Sequence, residues 1–93
     1  MKENIADVEY PKCVNANNVP IRKFNFKDDE TKRTIYGVIA QEVEAAGLED
    51  VVVTKDDGFK GVDYTALSLL KIAYLENEVK ALKAMIKQLM DNK

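Results

Sequence analysis

Few of the 93 residues are of a kind that performs covalent chemistry. Histidine is absent, Cys13 is the lone thiol and Ser68 the lone serine. A single thiol without histidine cannot build a zinc site, and it cannot close a disulfide within the chain. Carboxylates are plentiful, but neither Asp28-Asp29-Glu30 nor Asp56-Asp57 has the spacing of a calcium-binding loop; both read as turn residues. Gln41 and Glu42 could form an acid/base pair, although a polar helix start or a structural hydrogen bond explains them more simply. Tyr10, Tyr36 and Tyr74 stand apart from basic clusters, which argues against base stacking. No metal site and no cofactor are expected.

The last third of the chain points to a different chemistry, that of association. Ile72, Leu75, Val79, Leu82, Ile86 and Leu89 follow one another at intervals of 3, 4, 3, 4 and 3 residues. That is a heptad seam with β-branched residues at a and leucine at d. Lys71 and Glu78 fall at g, and Glu76 and Lys83 at e. In a parallel, in-register assembly Lys71 meets Glu76 of a neighbour and Glu78 meets Lys83. Exposed pairs of this kind contribute only a few tenths of a kcal/mol each, so they select orientation more than they stabilise. An antiparallel pair also satisfies Glu76 with Lys83, so parallel order is favoured rather than required. Ile and Val at a with Leu at d suit two strands by general rule, and the spacing by itself does not specify a trimer. The competing reading packs the stripe against the chain's own strands. It accounts for Leu67 and Leu70, but not for Ile86 and Leu89, which lie about 20 Å or more farther along a helix. Met85 and Met90 are expected to fill the sides of the seam.

These residues need elements to position them. Hydrophobic residues make up 46% and charged residues 32%, too apolar for disorder and too charged for a membrane protein. Net charge is −2, unlike the basic footprint of a nucleic-acid binder. No apolar run reaches the roughly 18–20 residues of a membrane span, and the first residues lack the apolar core of a signal peptide. A chain this short buries only about 60% of its unfolded surface, so support from association is expected.

The expected organisation is a single α+β domain over 1–93. Residues 1–20 form an irregular lead-in, with Pro11 and Pro20 bracketing Asn15, Asn17 and Asn18, and a short turn of helix around 12–16. Residues 21–63 carry strands and one short helix. Strands are expected over 21–26, where Phe24 and Phe26 share a face, over 34–39, over 51–54 and over 59–62. Residues 40–46 read as a helix with Gly47 at its C-cap, and Asp57-Gly58 as a hairpin turn. Asp63 is the expected N-cap of a helix over 64–91, roughly 40 Å long and more than twice the average globular length. The fold class follows: α+β, a small, mostly antiparallel sheet with a short helix, then a long C-terminal helix that forms a coiled coil, parallel by its flanking charges.

Tyr36-Gly37-Val38-Ile39-Ala40-Gln41-Glu42-Val43-Glu44 resembles the G-[VF]-I-A-Q-E-V signature of the intramolecular chaperone domain that ends phage tail spikes and fibres, the S74 peptidase family. Lys2-Glu3-Asn4-Ile5 is similar to its L-K-x-N-I start, and Phe24-Asn25-Phe26-Lys27 to its aromatic strand. Gly61-Val62-Asp63-Tyr64-Thr65-Ala66-Leu67 is similar to its V-D-Y-x-A-L approach to the terminal helix. Residues 6–20 depart from the pattern, since relatives carry a more helical, Leu-rich link there.

The resemblance implies a homotrimer, its long C-terminal helices forming a parallel trimeric coiled coil, that aligns three copies of an upstream β-stalk of the same polypeptide and then cuts itself free. It implies action in the host cytoplasm during phage assembly, with neither nucleic acid nor membrane as partner. In that family a serine attacks the peptide bond before itself and a lysine five residues on takes its proton; Lys2 matches the lysine as general base. The matching serine would precede Met1, so a start just inside the domain is expected, and the chain as given should be catalytically silent. Two rivals stand beside this reading: a coiled-coil interaction module that never cleaves, and a small conventional enzyme with a cleft in its sheet.

Overall fold

A computed structural model describes residues 1–92. Helix α1 spans Tyr10–Asn17, two turns rather than the single turn expected. Pro11 lies in its first turn, where a missing N–H costs nothing, so the residue that looked like a breaker is a helix start. The link between Lys2 and the first strand thus carries two turns of helix, with irregular residues on either side. Strands β1 (Arg22–Phe24) and β2 (Ile35–Gly37) pair antiparallel, Arg22 opposite Gly37 and Phe24 opposite Ile35. Helix α2 spans Ala40–Ala45, and a single 3-10 turn, Glu49–Val51, leads into β3 (Val52–Thr54). Strand β4 (Lys60–Val62) pairs antiparallel with β3, and α3 runs over Tyr64–Asp91, 28 residues.

One expectation needs correction. The four strands do not make one sheet; they form two separate two-stranded ribbons. Each strand is only three residues long, and α2 with its 3-10 turn stands between the hairpins in the chain. Ribbons that short are marginal alone and depend on the helices they pack against. Phe26 lies outside β1, yet its ring meets Phe24 edge-on, with centroids 5.6 Å apart.

The turns follow their residues. At the end of α2 the Leu48 N–H donates to the Val43 carbonyl and the Gly47 N–H to that of Glu44 (3.2 and 2.9 Å), with Gly47 at φ +82°. That double closure is the Schellman motif, and the apolar contact that accompanies it joins Val43 and Leu48, both fully buried. In the β3–β4 turn the Gly58 N–H donates to Lys55 (2.9 Å) with Gly58 at φ +85°, and Asp57 accepts from the Phe59 N–H (3.0 Å). Asp63 caps α3, its Oδ1 accepting from the Ala66 N–H at 3.0 Å.

The core sits among the helices. Cys13 and Ala16 of α1, Val19, Val38, Val43, Leu48, Val51, and Leu67 and Leu70 of α3 form one buried cluster. Only the first turns of α3 belong to it.

Candidate functional site

Helix α3 has two apolar faces with different surroundings. Leu67, Leu70, Ala73 and Tyr74 turn toward the core. Ile72, Leu75, Val79, Leu82, Ile86 and Leu89 turn away, between 49% (Val79) and 68% (Leu89) exposed. From Val79 to the end of the described residues, every side chain is exposed. The seam is thus not folded back on the strands of its own chain. A shallow groove runs along it, bounded by Ile72, Leu75, Glu76, Val79, Lys80 and Lys83.

The charges beside the seam divide in two. Glu76 and Lys83 are exposed and form no ion pair among the described residues. Lys71 and Glu78 are engaged within the chain. The Lys71 ammonium donates to the Val19 carbonyl at 2.7 Å, and partial burial lowers its pKa. Glu78 accepts from the Tyr10 hydroxyl at 3.0 Å, and the Tyr10 ring stacks on Tyr74 with centroids 6.2 Å apart. The carboxylate acceptor, with some desolvation, raises the Tyr10 pKa. Sequence reasoning missed Tyr10 and Val19. Their partners on α3 lie 68 and 52 residues away, and no local pattern signals such pairs.

The motif residues meet at the root of α3. The Val38 N–H donates to the Tyr64 hydroxyl at 3.3 Å. A Cβ built on Gly37 would lie 2.5 Å from that same oxygen and 3.4 Å from the Phe24 ring. Glycine stands there because Tyr64 occupies the space of a side chain. The Asp63 N–H donates to the Val51 carbonyl at 2.8 Å, continuing the β3–β4 ladder into the cap of α3. Val38 and Ala40 are buried and Val62 half-buried, while Ile39 and Gln41 face a cleft of about 510 Å³ walled also by Phe24, Phe26 and Phe59. Gly37-Val38-Ile39-Ala40 and Val62-Asp63-Tyr64 are thereby two halves of one joint, binding β2 and α2 to the start of α3.

Glu42 is occupied. Arg22 donates to both its carboxylate oxygens, Nε at 3.1 Å and Nη2 at 2.6 Å. These bonds hold the Glu42 carboxyl below the usual glutamate range and raise the guanidinium further. Its neighbour Gln41 is exposed and takes no part in that pair. The acidic runs act in turns: Asp29 accepts from the Thr31 N–H and hydroxyl and from Arg33, and these bonds lower its pKa. On the far side of the core Lys12 is paired with Asp50, whose pKa is lowered by that bond. Lys2 lies in the irregular N-terminal stretch, exposed and without a hydrogen bond among the described residues. Ser68 lies exposed on α3. Among the described residues, no helix is long and apolar enough to cross a membrane.

The arrangement offers a binding surface: a rigid joint carrying a long helix whose apolar seam faces outward. A family model for peptidase S74, described as chaperone of endosialidase, matches residues 1–53. The match takes in Lys2 and the run from Gly37 to Glu42, and it ends before β4 and α3. No curated protein matches the chain. With more than half of its length matched, and the matched motif built into the joint that anchors α3, the chain belongs to the peptidase S74 family, the chaperones of endosialidase.

Proposed function

We propose that the chain is an intramolecular chaperone domain that joins three copies of itself through α3 and so templates the folding of an upstream fibrous β-stalk of the same polypeptide, of the phage tail spike or fibre type. Membership of a chaperone family supports the coarse reading. The observation that carries the finer one is α3 beyond Glu78, where a regular a/d seam continues although nothing else among the described residues packs on it. Each half-exposed seam side chain gains about 1 kcal/mol when a neighbour covers it. Alignment of three chains then removes much of the entropic cost of starting an interwoven β structure, whose long-range contacts otherwise form slowly.

Self-cleavage is the proposed means of release in a polypeptide that carries a serine ahead of Lys2. Lys2 would act as the general base and must be neutral to accept the serine proton. A free lysine has a pKa near 10.4, so stalk or neighbouring residues must bury it. The exposure of Lys2 favours a second reading, an oligomerisation module that does not cleave. A fusion that places a β-stalk and a Ser-Asp ahead of Lys2 at the family's spacing separates the two. The first reading expects two bands on a denaturing gel, reduced to one by Lys2→Ala; the second expects one band throughout.

Light scattering tests the shared premise. The expected mass is three times 10.5 kDa. A lone chain at high concentration would overturn both readings.

A further inference from the structure

The a/d line changes character toward the head of α3. Counting back one heptad from Ile72 and Leu75 places Thr65 at a and Ser68 at d, so the seam loses its apolar residues there. Exposed apolar surface moves to either side of it instead. On the e side stands Leu69, 61% exposed. On the g side, Tyr64, Ser68 and Lys71 form one wall of a mostly apolar cavity of about 180 Å³, closed by Ile21, Tyr36 and Leu67. Ile21 is 68% exposed and Tyr36 74%, large apolar side chains that the chain's own core does not use. The Lys71 ammonium is drawn to the Val19 carbonyl, so its aliphatic stem rather than its charge borders the cavity.

In a parallel, in-register coiled coil a g residue faces the e residue of the following heptad in the neighbouring helix. That rule places positions 71 and 78 opposite positions 76 and 83; in this fold Lys71 and Glu78 are already bonded to Val19 and Tyr10, so the facing of positions rather than those ion pairs carries the register. One heptad earlier it sets Tyr64 against Leu69. We infer that Leu69 of one copy enters the Ile21–Tyr36–Tyr64 cavity of the next, a contact that closes on itself around the assembly. The inference rests on the parallel assembly proposed above and deepens it. Each copy donates one leucine and accepts one, as a closed cyclic arrangement requires. The cavity has room for one branched aliphatic side chain, and Lys71, the one charged residue in its lining, keeps its ammonium on the Val19 carbonyl. The consequence is mechanical. A coiled coil alone would leave the heads free to swing about the axis; this lock fixes each head against its neighbour's helix, and with it the direction in which the N-terminal segment leaves.

The test uses the full chain with Tyr36→Cys and Leu69→Cys combined and a short bis-maleimide linker. Both positions are exposed, so neither substitution removes core packing, and the native Cys13 is buried away from the reagent. Leu75→Cys, at d, reports on the seam alone. The expected result is covalent joining of chains by the Tyr36/Leu69 pair, no joining when Lys55→Cys replaces Tyr36→Cys, and a dissociation constant raised about tenfold by Leu69→Ala. Joining through Leu75→Cys without joining through the Tyr36/Leu69 pair overturns the lock and leaves the coiled coil standing. Chains that remain single by light scattering, with no joining at either site, overturn the coiled coil and the lock together.

Discussion

Leu67 and Leu82 lie on the same helix about 22 Å apart and meet opposite surroundings, 2% exposed in one case and 54% in the other. Both belong to regular apolar stripes, but the stripes serve different ends. The first closes a small core built by α1, α2 and the hairpins; the second begins where that core runs out. A domain with three-residue strands has little surface with which to cover a 28-residue helix. The difference teaches that one continuous helix can divide its apolar surface between self and partner, with Lys71 and Glu78 at the border tied back to the head.

The largest expected effect separates the two leucines. Leu67→Ala should cost about 3 kcal/mol in denaturant unfolding, at any protein concentration, because it leaves a cavity in the core. Leu82→Ala should change the stability of the dilute chain by no more than about 0.5 kcal/mol. It should, however, abolish the concentration dependence that association imposes on the thermal midpoint. Equal costs for the two substitutions in dilute solution would mean that Leu82 is covered by its own chain, and the division would collapse.

A second prediction concerns the joint between the two regions. Gly37→Ala forces a methyl group against the Tyr64 hydroxyl and should cost about 1–3 kcal/mol. Tyr64→Phe alone should cost about 1 kcal/mol, since it leaves the Val38 N–H without its acceptor. Combined, the two should cost clearly less than their sum, because removing the hydroxyl makes room for the methyl. Additive costs would show that the close approach does not bear on stability. The seam should be unaffected throughout, with the mass by light scattering unchanged.

Much of this arrangement was legible in the residues, for reasons that differ by element. Asp63, Gly47 and Asp57-Gly58 act through bonds within a few positions of themselves, so α3, α2 and the second hairpin could be placed from local chemistry. The outward face of α3 was legible because its a/d spacing outlasts any core the chain could build. Helix α1 was underestimated because Pro11 and the asparagines suggest interruption when read singly, while Pro11 in fact occupies the one turn that tolerates it. The separation into two ribbons was not legible, because alternation marks a strand without naming its partner. The Tyr10–Glu78 and Lys71–Val19 contacts were hidden for the same reason: they exist only once α1 has packed on α3. The motif residues could be recognised, but the physical reason for Gly37 appeared only with Tyr64 beside it.

The smallest expected effect is an acid one, confined to the head, and it sharpens the contrast because the distal half of α3 has no part in it. Arg22 holds the Glu42 carboxyl below its ordinary 4.5. A carboxyl whose pKa is lowered in the fold stabilises the fold at pH above the unfolded value, where both states are ionised. That contribution is lost as pH falls through the lower, folded value, because the folded chain must then take up the proton. Dilute, unassociated chain should therefore lose stability from about pH 4.5 downward. Glu42→Gln should be slightly less stable than the parent at neutral pH and should lose stability less steeply in acid, so that the two curves converge. The acid limb should become shallower without vanishing, since Asp29 and Asp50 are held low in the same way by Thr31 and Lys12. Parallel curves for parent and variant would show that the Arg22–Glu42 pair is too well solvated to couple to folding. Restricting the same titration to Lys83→Gln, on the distal half, should leave the dilute chain's acid limb unchanged, because Lys83 has no carboxylate partner within its own chain among the described residues.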